Sequence, residues 1–69
     1  MTDAEMDKRF TYHPPKENQA KRYETVRMFA KTYAMFLDKT CPDSRELSLA
    51  LTKIEESVFW ANAAIARNE

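Results

Sequence analysis

Not one of the 69 residues is glycine, so the chain must reverse direction without the residue that takes positive φ at no steric cost. The strong breakers left are three prolines, Pro14, Pro15 and Pro42. Two-residue β-hairpins depend on glycine-bearing turns, and glycine-rich phosphate loops and dinucleotide fingerprints go with them. What remains is helix. Two stretches of helical pattern, either side of Pro42, define an all-α chain.

From about Lys16 to Thr40 nothing interrupts a helix, and Tyr23, Val26, Ala30, Tyr33 and Leu37 step by 3 and 4 into one apolar stripe. Pro15, with φ fixed near the helical value, suits the start of that helix. The turn is expected at residues 41–43, where Pro42 stops the first helix. Asp43 with Glu46 three residues on reads as a capping box, and Ser44 is an almost equal cap. The second helix, about 44–67, carries Leu47, Leu51, Ile54, Val58, Ala61 and Ile65. Each helix is ~24 residues and about 36 Å long. So short a turn makes them antiparallel neighbours, a helical hairpin over residues 10–69. Residues 1–9 are polar and read either as a short frayed helix or as a flexible lead.

One stripe against one stripe would finish a hairpin, yet both helices carry more. Met28, Phe29, Met35 and Phe36 lie off the first stripe, and Leu49, Phe59 and Trp60 off the second. Soluble monomers rarely expose such patches, and each large side chain buried is worth roughly 1.5–3 kcal/mol. A chain this short also needs a staple. Cys41 is the sole cysteine and His13 the sole histidine, which leaves no internal disulfide and no four-ligand zinc site. Self-association is the staple expected, giving a compact homo-oligomer.

Formal charge balances, eleven basic against eleven acidic, so no polymeric DNA or RNA partner is implied. The distribution is uneven. Lys8 to Lys31 holds seven basic residues against Glu17 and Glu24, a local excess that attracts an anionic ligand or merely solvates a helix face. No run reaches the ~18 apolar residues of a membrane span, and the acidic start does not look like a signal peptide; a soluble, cytoplasmic protein is expected. Catalytic machinery is not visible. His13 and Cys41 fall at opposite ends of the first helix, and the neighbouring Glu55 and Glu56 point about 100° apart, so they do not converge as an acid/base pair. No enzyme activity, cofactor or metal is expected.

Immediately before the first helix stands Phe10-Thr-Tyr-His-Pro-Pro-Lys16, a stiff arm because residues preceding proline are held extended. In an antiparallel hairpin this arm and the terminal segment share one end, which brings Tyr12, His13, Arg67 and Asn68 into one neighbourhood; Arg27, about three turns into the first helix, is expected to face the middle of a long groove. Tyrosine offers a π-face to a base and arginine a planar fork to a phosphate or purine edge. The bland alternative makes Tyr12 and Trp60 interface aromatics, with Ala61, Ala63, Ala64 and Ala66 permitting tight helix packing.

The arm, then Arg22-Tyr-Glu-x-x-Arg27, Cys41-Pro-Asp-Ser-Arg45-Glu, Leu49-Ala-Leu-Thr-Lys53 and Trp60-Ala-Asn-Ala-Ala-Ile-Ala-Arg67-Asn, resembles in order the phage anti-CBASS cyclic-oligonucleotide sponges. Their helical-hairpin domain is shared with anti-Thoeris sponges. The resemblance spans roughly residues 10–69. It implies a phage immune-evasion protein in the cytoplasm of the infected bacterial host. Such a protein sequesters cyclic messengers uncleaved, as a compact homohexamer with cyclic dinucleotides held between protomers. Tyr12 and Arg27 match the family's ligand-contacting tyrosine and basic residue, the latter often lysine; His13 adjoins the tyrosine and could be structural. Arg67 and Asn68 match a region that holds cyclic trinucleotides in some members. The competing readings are a structural or protein-interaction hairpin without nucleotide ligand and, more weakly, a DNA-binding chain resting on the basic stretch.

Overall fold

Three helices make up the computed structural model, which describes residues 1–69: α1 (Asp3–Phe10), α2 (Gln19–Thr40) and α3 (Arg45–Asn68). Of the sequence's two options for the lead segment, the helix forms. Thr2 caps α1, its hydroxyl accepting from the Glu5 amide at 3.2 Å. Asp3 and Glu5 lie in the first turn and Lys8 and Arg9 in the last, which suits the helix dipole. Phe10 is therefore the last residue of α1 and not part of the arm, which spans 11–16 without helix or strand.

Two expectations about helix ends need correction. Pro15 does not start α2. A turn at Glu17 and Asn18 intervenes, with the Gln19 amide donating to the Lys16 carbonyl at 2.7 Å, and α2 begins at Gln19. The turn puts Glu17 at φ 29°, a left-handed value rare outside glycine. At the start of α3 the cap is Ser44 and not Asp43: the Ser44 hydroxyl accepts from the Leu47 amide at 3.1 Å. Ser44 is in extended conformation, which aims its side chain back over the first turn.

α2 and α3 pack antiparallel, with Glu69 returning to Lys16, Gln19 and Arg22 at the start of α2. The seam is made by Val26, Ala30, Ala34 and Leu37 against Leu47, Leu51, Ile54 and Val58, of which Leu47 alone is buried and the rest are half-buried. Tyr33, expected in the stripe, is 54% exposed and borders a groove beside the seam, while the small Ala34 is half-buried.

The backbone fits a slab 46 × 30 × 12 Å, a single layer of helices. A single layer has no inside, so Met28, Phe29, Met35, Phe36, Phe59 and Trp60 all stay exposed on its faces. Apolar grooves of about 750 and 800 Å³ run along the two sides of the seam, and Ala30 and Ile54 border both. No helix is long and apolar enough to cross a membrane.

Candidate ligand cleft

At the end of the hairpin where the arm meets α3, Tyr12, His13, Arg27 and Arg67 line one cleft of about 400 Å³. Three elements place them. The arm brings Tyr12 and His13 over the surface; α2 contributes Arg27 and Tyr23; α3 contributes Asn62, Ala63, Ala66 and Arg67. The two alanines keep the α3 wall low, which leaves room for a flat group to approach.

His13 turns back on α1. Its Nε2 lies 2.9 Å from the Lys8 carbonyl; a carbonyl only accepts, so Nε2 carries the proton. Lys8 is in the last turn of α1, where carbonyls lack helical partners, and the imidazole therefore serves as a side-chain cap. Arg67 sends Nη2 to the Arg9 carbonyl at 3.5 Å, a long and weak bond that still ties α3 to α1. Tyr12 is 80% exposed, so its ring face is open to a stacking partner. Arg27 borders both the cleft and the 800 Å³ groove on the same side, with no salt bridge of its own.

One carboxylate ties the end of α3 to the start of α2. Arg22 donates to Glu69 through Nη1 at 2.7 Å and Nη2 at 2.6 Å, a bidentate pair, and Gln19 Nε2 donates to the same carboxylate at 3.3 Å. Lys16 Nζ adds a bond to the Glu69 carbonyl at 2.9 Å. Hydrogen bonding from Arg22 first, then from Gln19, lowers the Glu69 carboxyl from its ordinary value to about 2. The same pairing raises the Arg22 guanidinium.

Asn68 does not join the cleft. Its Nδ2 donates to the Ala64 carbonyl at 3.0 Å, bound back along its own helix, and it is exposed. Asn62 does border the cleft, and reading the sequence did not single it out. Its Oδ1 is sealed from solvent without a hydrogen-bond partner, a costly state for an amide oxygen. The available signal was a single amide within the alanine-rich stretch 61–66 of α3. Gln19 and Glu69 carried less: neither shows its partnership until the ends of α2 and α3 are brought together.

The arrangement offers an open aromatic face, an imidazole and two guanidinium groups, with no aligned nucleophile and base. Such groups are suited to stacking and to charge-assisted hydrogen bonds with an anion. Among curated proteins and solved structures no match to the chain is found. The family model for the Acb2/Tad1 hairpin domain, in contrast, matches residues 2–66, a span that takes in α1, the arm and nearly all of the hairpin. With that match over almost its whole length, the chain belongs to the Acb2/Tad1 hairpin family of anti-CBASS and anti-Thoeris sponges, binding domains and not enzymes.

Proposed function

We propose that this protein captures cyclic dinucleotide messengers of bacterial antiphage defence and holds them uncleaved, so that the effector they would activate stays silent. The observation that carries the reading is the gathering of Tyr12, Arg27 and Arg67 around one cleft. Tyr12 stacks on a base, and the guanidinium groups take the phosphodiesters through charge-assisted bonds. His13 holds the arm against α1. A cyclic dinucleotide has two bases and two phosphates, whereas a single protomer offers one open ring, so a second protomer completes the site. The exposed apolar faces of α2 and α3 supply the association, in an assembly of the hexameric kind. Arg67 is also the residue that a cyclic trinucleotide would use at a second, shared site, with Asn68 beside it once its bond to Ala64 is released.

The test is calorimetry of the purified protein against a panel of cyclic di- and trinucleotides, followed by heat denaturation and chromatography of the released ligand. Binding with intact recovery supports capture. Linear or mononucleotide products would make the protein a hydrolase, and no binding together with no rise in melting temperature would leave a protein-interaction hairpin.

A further inference from the structure

We propose that Gln19 is the positioning residue of the ligand cleft, one amide that fixes the arm to the end of α3; the inference rests on Tyr12 being the stacking face. Gln19 is the one buried polar side chain of the chain, at 4% exposure. A buried amide must find partners at both ends. Its Oε1 accepts from the Lys16 amide at 2.9 Å, and its Nε2 donates to Glu69 at 3.3 Å. The backbone adds a third bond, from the Gln19 amide to the Lys16 carbonyl at 2.7 Å. Lys16 and Gln19 are thus clasped in both directions, in the manner of a capping box but around a turn that precedes the helix.

Two further features make the clasp more than a helix cap. The turn holds Glu17 at φ 29°, and a strained residue of this kind persists only where its surroundings over-determine it. Asn18, the residue at the cap position, makes no side-chain cap bond, so the Gln19 amide is what enforces the turn. The strain is transmitted to the cleft. Between Lys16 and His13 stand only Pro14 and Pro15, two residues of locked φ, which act as a strut. Turning the Lys16 peptide therefore swings Tyr12. At its other end the same amide grips Glu69, two positions beyond Arg67. Both walls of the cleft are referred to one side chain.

A double-mutant cycle tests this, using the tighter-binding of cyclic di-AMP and cyclic di-GMP as the probe. Gln19→Met keeps the volume and removes both bonds; Gln19→Glu keeps the acceptor for the Lys16 amide. Gln19→Met should weaken binding roughly tenfold in the wild-type background and less than about twofold when Tyr12→Ala is already present, since coupled residues are non-additive. Gln19→Glu keeps the bond to the Lys16 amide but sets a second carboxylate against Glu69, so it should also weaken binding, and adding Glu69→Gln, which returns a donor to that contact, should restore affinity to within about twofold of wild type. Equal losses in both backgrounds would reduce Gln19 to a stability residue and overturn the inference. Should Gln19→Met fail to fold, Glu69→Gln, an exposed change that slackens the far end of the amide, enters the same cycle. Should the wild-type chain bind neither probe, the proposed function falls and amide exchange decides the inference instead. Faster exchange at Lys16 with altered ordering of residues 11–16 in the variant upholds it; unchanged exchange and ordering defeat it.

Discussion

Arg22 and Glu69, forty-seven positions apart, meet through two parallel hydrogen bonds of 2.7 and 2.6 Å and so close the open end of the hairpin. This fork is the tightest polar link between α2 and the end of α3, two positions beyond Arg67 in the chain. Both side chains are about two-fifths exposed, at 42% and 40%, so salt screens the pair and its contribution to stability is modest.

The fork has a pH signature. Folding lowers the Glu69 carboxyl to about 2 from an ordinary value of 4.5, chiefly through the Arg22 bonds. A depressed carboxyl stabilises the fold above its unfolded value and loses that contribution as pH falls toward the folded one. Melting temperature should therefore drop between about pH 4.5 and pH 2. In Glu69→Gln that part of the drop should shrink, and equal curves for the two proteins would show that the fork has no weight.

Ligand capture should divide between stacking and charge. Tyr12→Ala removes a base-stacking face worth ~1–3 kcal/mol per base, a loss to be read by calorimetry with cyclic dinucleotides. Arg27→Ala removes a charge-assisted bond of about 1.5–3 kcal/mol, and Arg27→Lys should restore part of it because the charge returns without the fork. Affinity unmoved by either alanine would remove both residues from the site.

Association should depend on the faces of the slab. Phe29 and Phe59 are 70% and 64% exposed and border the two grooves. Light scattering should give a mass several times the 8.1 kDa of one chain. Phe29→Asp and Phe59→Asp should lower that mass and, as the association that stabilises the fold is lost, lower the melting temperature. A well-folded 8.1 kDa species of the wild-type protein would contradict the assembly and the shared cleft with it.

Strain at Glu17 should be relievable. Its φ of 29° suits glycine, which pays no Cβ penalty there but is more flexible when unfolded. Glu17→Gly should leave thermal stability unchanged or raise it by up to about 1 kcal/mol, while Glu17→Val should lower it by ~1–3 kcal/mol, since β-branched residues resist the left-handed region. A large loss from the glycine variant would mean that the Glu17 side chain matters more than its backbone.

Much of this architecture was written locally. The absence of glycine, the stop at Pro42 and the 3-and-4 spacing of apolar residues are properties of single segments, and they determined two antiparallel helices. The same spacing showed that Met28, Phe29, Phe59 and Trp60 fall off the seam, and the one-layer slab leaves them exposed. Tyr12, His13 and Arg67 could be grouped from chain order alone, because an antiparallel hairpin must bring its two ends together; Arg27, expected farther along the groove, joins them only in the fold.

Other features depended on backbone geometry at the helix ends that residue spacing does not reveal, and the Arg22–Glu69 fork on distant parts meeting. Pro15 offered a helix start, but the reciprocal bonds of Lys16 and Gln19 impose a turn first and move the start to Gln19. Asp43 and Ser44 are equivalent caps on paper, and only the extended backbone at Ser44 aims a hydroxyl at the Leu47 amide. Asn68 looked equal to Arg67 until the last turn of α3 directed its amide to Ala64. Local spacing thus set the helices and their faces; tertiary contact decided which polar groups at their ends are free, because hydrogen bonds across forty or more residues leave no trace in any one segment.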